Sequence, residues 1–98
     1  MHYLLTYDLA DDYLERSGEF RDAHLKLAWE AVERGELMLA GAVGEPPSSA
    51  LLVFTVDDPA VAEAWALADP YVQHGLVRHW RVRKWHTVVG EDATTPLR

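Results

Sequence analysis

Residues 2–8, His-Tyr-Leu-Leu-Thr-Tyr-Asp, put Tyr3, Leu5 and Tyr7 on one side of an extended chain and His2, Leu4, Thr6 and Asp8 on the other, which predicts a strand. The acidic stretch from Ala10 to Gly18 carries few core residues and reads as a loop. Beyond it the period changes. Phe20, His24, Leu27, Ala28 and Ala31 follow the i, i+4, i+7, i+8, i+11 spacing of one helical stripe, so a helix is expected from Ser17 or Gly18 to Arg34, closed by Gly35. Residues 36–43 predict a second strand, Gly44 to Ser49 with its Pro46-Pro47 pair a turn, and residues 50–56 a third strand, apolar on both faces. Asp58-Pro59 has the form of an N-cap followed by proline at the first helical position and opens a helix to Ala68. Asp69-Pro70 repeats that signal for a short helical turn to His74, and a last strand is expected over 76–89.

The element order β-α-β-β-α-β predicts an α+β, ferredoxin-like fold: a four-stranded antiparallel sheet with its helices on one face. Residues 1–90 form the expected single domain and 91–98 a loose C-terminal tail. Apolar pairs such as Leu4-Leu5 and Met38-Leu39, and the run Leu51 to Phe54, put apolar groups on both faces of the strands. A sheet wetted on one side alternates more cleanly, so the second face is expected to be covered by a second subunit in a homodimer.

Composition narrows the function. A net charge of −7 argues against a nucleic-acid partner, because phosphate neutralisation needs surplus Lys and Arg. Arg78, Arg81, Arg83 and Lys84 do cluster, but Trp80, Val82 and Trp85 interleave them at strand spacing, which favours a solvated strand face over an anion-binding strip. With no cysteine there is no thiolate chemistry, in keeping with a reducing compartment. The N-terminus lacks a basic leader and no run approaches the roughly 18 apolar residues of a membrane span. A cytoplasmic protein with no membrane partner is expected.

His24 lies on the inward stripe of the main helix, as either a packed core residue or a reagent. Arg21, one turn earlier, is positioned to place positive charge beside it, and Ser17 lies two turns earlier. Asp69 is a capping residue by its context, and a capping carboxylate can also accept a bond from an imidazole and set its tautomer. Other constellations are weaker. His74, His79 and His86 have spacings of neither a helix face nor a strand face, so no metal site is expected. Ser17, His24 and Asp69 lack the Gly-x-Ser-x-Gly elbow of a hydrolytic triad, and no glycine-rich phosphate loop is present. Trp29, Trp65, Trp80 and Trp85 read as core and dimer interface.

The run Arg21-Asp22-Ala23-His24-Leu25, then Gly35-Glu36-Leu37-Met38-Leu39-Ala40-Gly41, then Ala68-Asp69-Pro70-Tyr71 with Gly75-Leu76-Val77, and finally Val82-Arg83-Lys84-Trp85 resembles the YCII-related (YciI-like) family from Tyr3 to about Val89. The resemblance implies a dimeric α+β barrel, as in muconolactone-isomerase-like proteins, and a site built on a His-Asp pair that maps onto His24 and Asp69, with Arg21 as the arginine before the histidine. Lys84 departs from the proline that many relatives carry before the tryptophan. The family includes a dehydrochlorinase of a chlorinated hydroxyquinone. The implied activity is therefore of lyase or isomerase type, without a cofactor. His24 and Asp69 would do acid/base work on a small cyclic or aromatic molecule, while Arg21 and Ser17 border the substrate. The alternative is a non-catalytic dimer that binds a small ligand or another protein.

Overall fold

The computed structural model describes residues 1–98. In chain order the elements are β1 (His2–Leu9), α1 (Tyr13–Glu33), β2 (Leu37–Val43), β3 (Ser49–Thr55), α2 (Pro59–Ala68), α3 (Pro70–Gln73) and β4 (Val77–Trp85). The four strands form one antiparallel sheet in the order β2-β3-β1-β4, the ferredoxin-like arrangement expected from the alternating periods. On the face of β1 that carries Tyr3, Leu5, Tyr7 and Leu9, all are buried, and they join Leu52, Phe54, Ala62, Trp65, Ala66 and Leu76 in one core. Trp65 also ties α2 to α1, its Nε1–H donating to the Leu27 carbonyl at 3.3 Å.

Two boundaries differ from the sequence expectation by more than one residue. Helix α1 begins at Tyr13 rather than at Ser17 or Gly18, so most of the supposed loop 10–18 is helical. The helical stripe extends one turn further back than the apolar residues suggest. Tyr13 packs edge-on against Tyr71, with ring centroids 5.7 Å apart, and Ser17 is buried one turn later. Arg16 anchors the same turn by donating to the His74 carbonyl at 2.7 Å. Ser17 is therefore an interior helix residue and not a cap.

Strand β4 ends at Trp85, not at Val89, because its partner β1 runs out: His2 pairs with Trp85 in the register. The chain after it turns back on itself. Thr95 N–H donates to the Thr87 carbonyl at 3.2 Å, Leu97 N–H to the Val88 carbonyl at 2.8 Å, and the Thr87 hydroxyl meets His2 Nδ1 at 2.8 Å.

Asp58 caps α2 through Oδ1, which accepts from Ala60 N–H at 2.9 Å. Asp69, in an extended conformation, ends α2 and starts α3. On the sheet face turned away from the helices, Leu39, Val43, Leu51 and Trp85 are large apolar side chains left exposed. No helix is long and apolar enough to cross a membrane.

Candidate active site

Asp69 organises the site because its capping position puts a carboxylate inside the protein. It is fully buried, and both oxygens are occupied. Oδ1 accepts from Tyr71 N–H at 3.1 Å, which caps α3, and lies 2.7 Å from His24 Nδ1; Oδ2 accepts from the Tyr7 hydroxyl at 2.7 Å. Burying a carboxylate is costly unless it is fully hydrogen-bonded, and three donors from β1, α1 and α3 meet that condition.

His24 extends from the middle of α1 with its side chain 17% exposed. An ionised carboxylate can only accept, so Nδ1 carries the hydrogen, and in the neutral form of the ring Nε2 keeps its lone pair. The ring is held on two sides. It stacks on Tyr71 with centroids 3.9 Å apart and planes 7° from parallel, and meets Trp65 edge-on at 5.9 Å. One nitrogen is thus fixed by Asp69, and the other is free at a cleft that His24 helps to line.

The phenols around the pair have distinct roles. Burial, then the Asp69 charge, then the hydrogen bond to Asp69 push the Tyr7 pKa far above its ordinary value, so the phenol stays a donor. Tyr71 is also raised, chiefly by burial; its hydroxyl lies beside Tyr13 and Arg21, and the guanidinium opposes the rise. A pH consequence follows from Tyr7. Its folded pKa lies above its unfolded value near 10, so its contribution to stability is complete below pH 10 and is lost as the pH rises further. Stability measured by denaturant between pH 9 and 11.5 should fall more steeply in the wild type than in Tyr7→Phe, by about 1.4 kcal/mol per pH unit above pH 10. Parallel curves would show that Tyr7 titrates freely in the folded protein.

The cleft has a volume of about 550 Å³ and runs between α1 and β2. Tyr7, Tyr13, Arg21, His24 and Tyr71 form its polar part, while Leu25, Ala28, Trp29 and Val32 of α1 face residues 37–42 of β2 along the remainder. Arg21 is the one Lys or Arg on its lining, and it makes no ion pair with any carboxylate of the chain.

Of the residues singled out from sequence, His24, Asp69 and Arg21 therefore come together, linked through Tyr71. Ser17 does not join them: it is buried away from the cleft lining, and its hydroxyl has no hydrogen-bond partner. Tyr7 and Tyr71 were not recognisable as site residues from periodicity. The available signal was Tyr7 itself, an inward-facing phenol on a core strand whose hydroxyl must find a partner when buried. The tryptophans also separate. Trp65 is core and Trp80 half-buried, Trp29 stands exposed at the cleft, and Trp85 is on the open sheet face. No group of three His, Cys, Asp or Glu side chains is arranged to hold a metal ion.

Comparison with known proteins agrees with this architecture. The YCII-related domain matches residues 1–86. Among solved structures, a 5-chloro-2-hydroxyhydroquinone dehydrochlorinase from Burkholderia phenoliruptrix AC1100, in complex with 2,5-dihydroxybenzoquinone, superposes with a TM-score of 0.74 at 15% identity. The match covers 89% of this chain and 95% of the other. At that identity the likeness is one of fold. None of the curated proteins compared matches the chain.

Proposed function

The chain belongs to the YCII-related domain family, and from that premise we propose that it is an enzyme in which the His24–Asp69 pair moves a proton on a small organic molecule. The observation that carries this reading is the 2.7 Å contact between His24 Nδ1 and Asp69 Oδ1, which leaves Nε2 free at the cleft. Nε2 takes a proton from an acidic C–H or O–H of the substrate, and Asp69 offsets the positive charge on the imidazolium. Arg21 holds the anionic oxygen that develops. The released electron pair then either forms a double bond as halide departs, so that HCl is lost overall, or is reprotonated at a second carbon, which is isomerisation. Neither outcome requires groups beyond His24, Asp69 and Arg21. The dehydrochlorinase of the same fold adds weight to the elimination branch.

A second copy of the chain covering Leu39, Val43, Leu51 and Trp85 is part of the proposal, because these side chains form an apolar surface on the face opposite the helices. The experiment for the catalytic reading is a turnover screen of chlorinated hydroquinones, lactones and enolisable acids, repeated with Asp69→Asn. The amide can still accept from Tyr71 and His24 at Oδ1, but it removes the charge facing the imidazolium. Activity should fall about ten- to a hundredfold, the value of a buried charge-assisted bond. Unchanged activity in Asp69→Asn would contradict the pair's role.

A further inference from the structure

The cleft is larger than proton transfer on a single ring needs, and its polarity is divided along its length. A cavity of roughly 150 Å³ holds benzene, whereas this one is about 550 Å³. At the same volume per atom it accommodates on the order of 20 non-hydrogen atoms. The space exists because the residues that would fill it are small. Ala28 on α1, Ala40 and Ala42 on β2 and Ala50 on β3 all line it, where larger side chains would close α1 onto the sheet.

The register fixes its direction. Tyr7, Ala50 and Ala42 lie abreast across β1, β3 and β2, and this end is joined to Arg21 through the Tyr7–Asp69–His24–Tyr71 cluster. Leu37 begins β2 at the other end, just after the C-terminus of α1, where Val32 stands. From Arg21 to Val32 the helix advances roughly 16 Å at 1.5 Å per residue. All cationic and phenolic groups of the cleft lie at the first end or beside His24. Beyond them the lining is Leu25, Ala28, Trp29, Val32, Leu37 and Met38.

We propose that this site takes an amphipathic acid, its oxyanion head at Arg21, its reactive carbon near that head at His24, and an aliphatic or aryl tail lying between α1 and β2. The inference rests on the reading of the His24 cleft as a substrate site and specifies the class of substrate. Arg21 supplies a cation with no carboxylate partner in the chain, its one polar neighbour being the neutral Tyr71 hydroxyl, which complements an acidic head. His24 follows Arg21 by one turn, so the atom it reaches belongs to the head of the ligand rather than to the tail. The alanine floor accepts methylene groups and offers them no polar competition.

The test is a binding series that needs no turnover. Straight-chain carboxylates from butanoate to tetradecanoate, each below its micelle concentration, are titrated calorimetrically into the whole chain at pH 7, with decan-1-ol as the uncharged control. Affinity should rise about two- to fourfold per methylene and level off near a chain of roughly 12 carbons, the length of the cleft. Arg21→Gln should weaken decanoate about tenfold and leave decanol unchanged. Ala40→Leu and Ala28→Leu, each checked for folding by circular dichroism, should move the plateau to shorter chains.

A flat series, equal affinity for decanol and decanoate, or a plateau that neither alanine variant moves would overturn the proposal. So would an Ala40→Leu protein of altered oligomeric state in which the wild type binds no acid, since a second copy would then fill the cleft. The outcomes separate the two readings. A steep chain-length series with turnover indifferent to Asp69→Asn sinks the acid/base mechanism alone, and a flat series beside Asp69-dependent turnover sinks the amphipathic substrate alone.

Discussion

His24→Asn is expected to lower kcat by about 10² to 10⁴, the usual worth of a positioned general base, while the protein stays folded. Asparagine suits the position because its amide nitrogen falls where Nδ1 stands in histidine, so a donor to Asp69 Oδ1 is retained at the site of the 2.7 Å bond. What disappears is Nε2, the nitrogen with no internal partner. The substitution also gives up the imidazole stacked at 3.9 Å on Tyr71. That loss should cost on the order of 1 kcal/mol in stability, visible as a shift of a few degrees in Tm. Steady-state kinetics on a substrate found by the screen, alongside a thermal melt, separates the two consequences. A variant that melts lower but turns over within threefold of wild type would make His24 a core residue that satisfies Asp69, and the catalytic reading would fail.

Leu39→Asp combined with Leu51→Asp should convert the proposed dimer into a monomer at micromolar concentration, read by sedimentation velocity. Both residues are exposed, at 70% and 39%, on the sheet face opposite the helices, Leu39 also bordering the cleft at the β2 edge, so neither change creates a cavity in the core. In a two-fold pairing each substitution enters the interface twice, setting desolvated carboxylates close to one another. The expected weakening is at least a hundredfold in Kd, since an unpaired buried charge costs roughly 3 kcal/mol or more. The circular dichroism spectrum should not change. A wild-type protein that sediments as a monomer at tens of micromolar would dispose of the dimer outright.

How far the sequence reveals the site differs from residue to residue. His24 could be placed inward because Phe20, Leu27, Ala28 and Ala31 share its stripe, and periodicity is a property of the local chain. Asp69 could be placed at a helix start because Asp-Pro has only a few uses in a folded protein. The start of α1 was harder to read. Ser17 and Gly18 look like an N-terminus, yet the helix begins at Tyr13, because Tyr13 packs on Tyr71 of α3 and Ser17 is buried, and neither is a local signal. The end of β4 differs from the sequence expectation for a related reason: Val88 and Val89 have strand character, but β1 has no residues left to pair with them.

Local spacing thus determined the order of strands and helices, the ferredoxin-like plan that follows from it, and the inward direction of His24. The encounter of His24 with Asp69, 45 residues away, and of Asp69 with Tyr7, 62 residues away, was decided only by the packing of α1 and α3 on one face of the sheet. The same holds for the cleft, which is a gap between a helix and an edge strand set by alanines on three separate elements. Periodicity reports which way a side chain points. It carries no measure of how far apart two elements come to rest, and that distance makes two ordinary residues into a hydrogen-bonded pair.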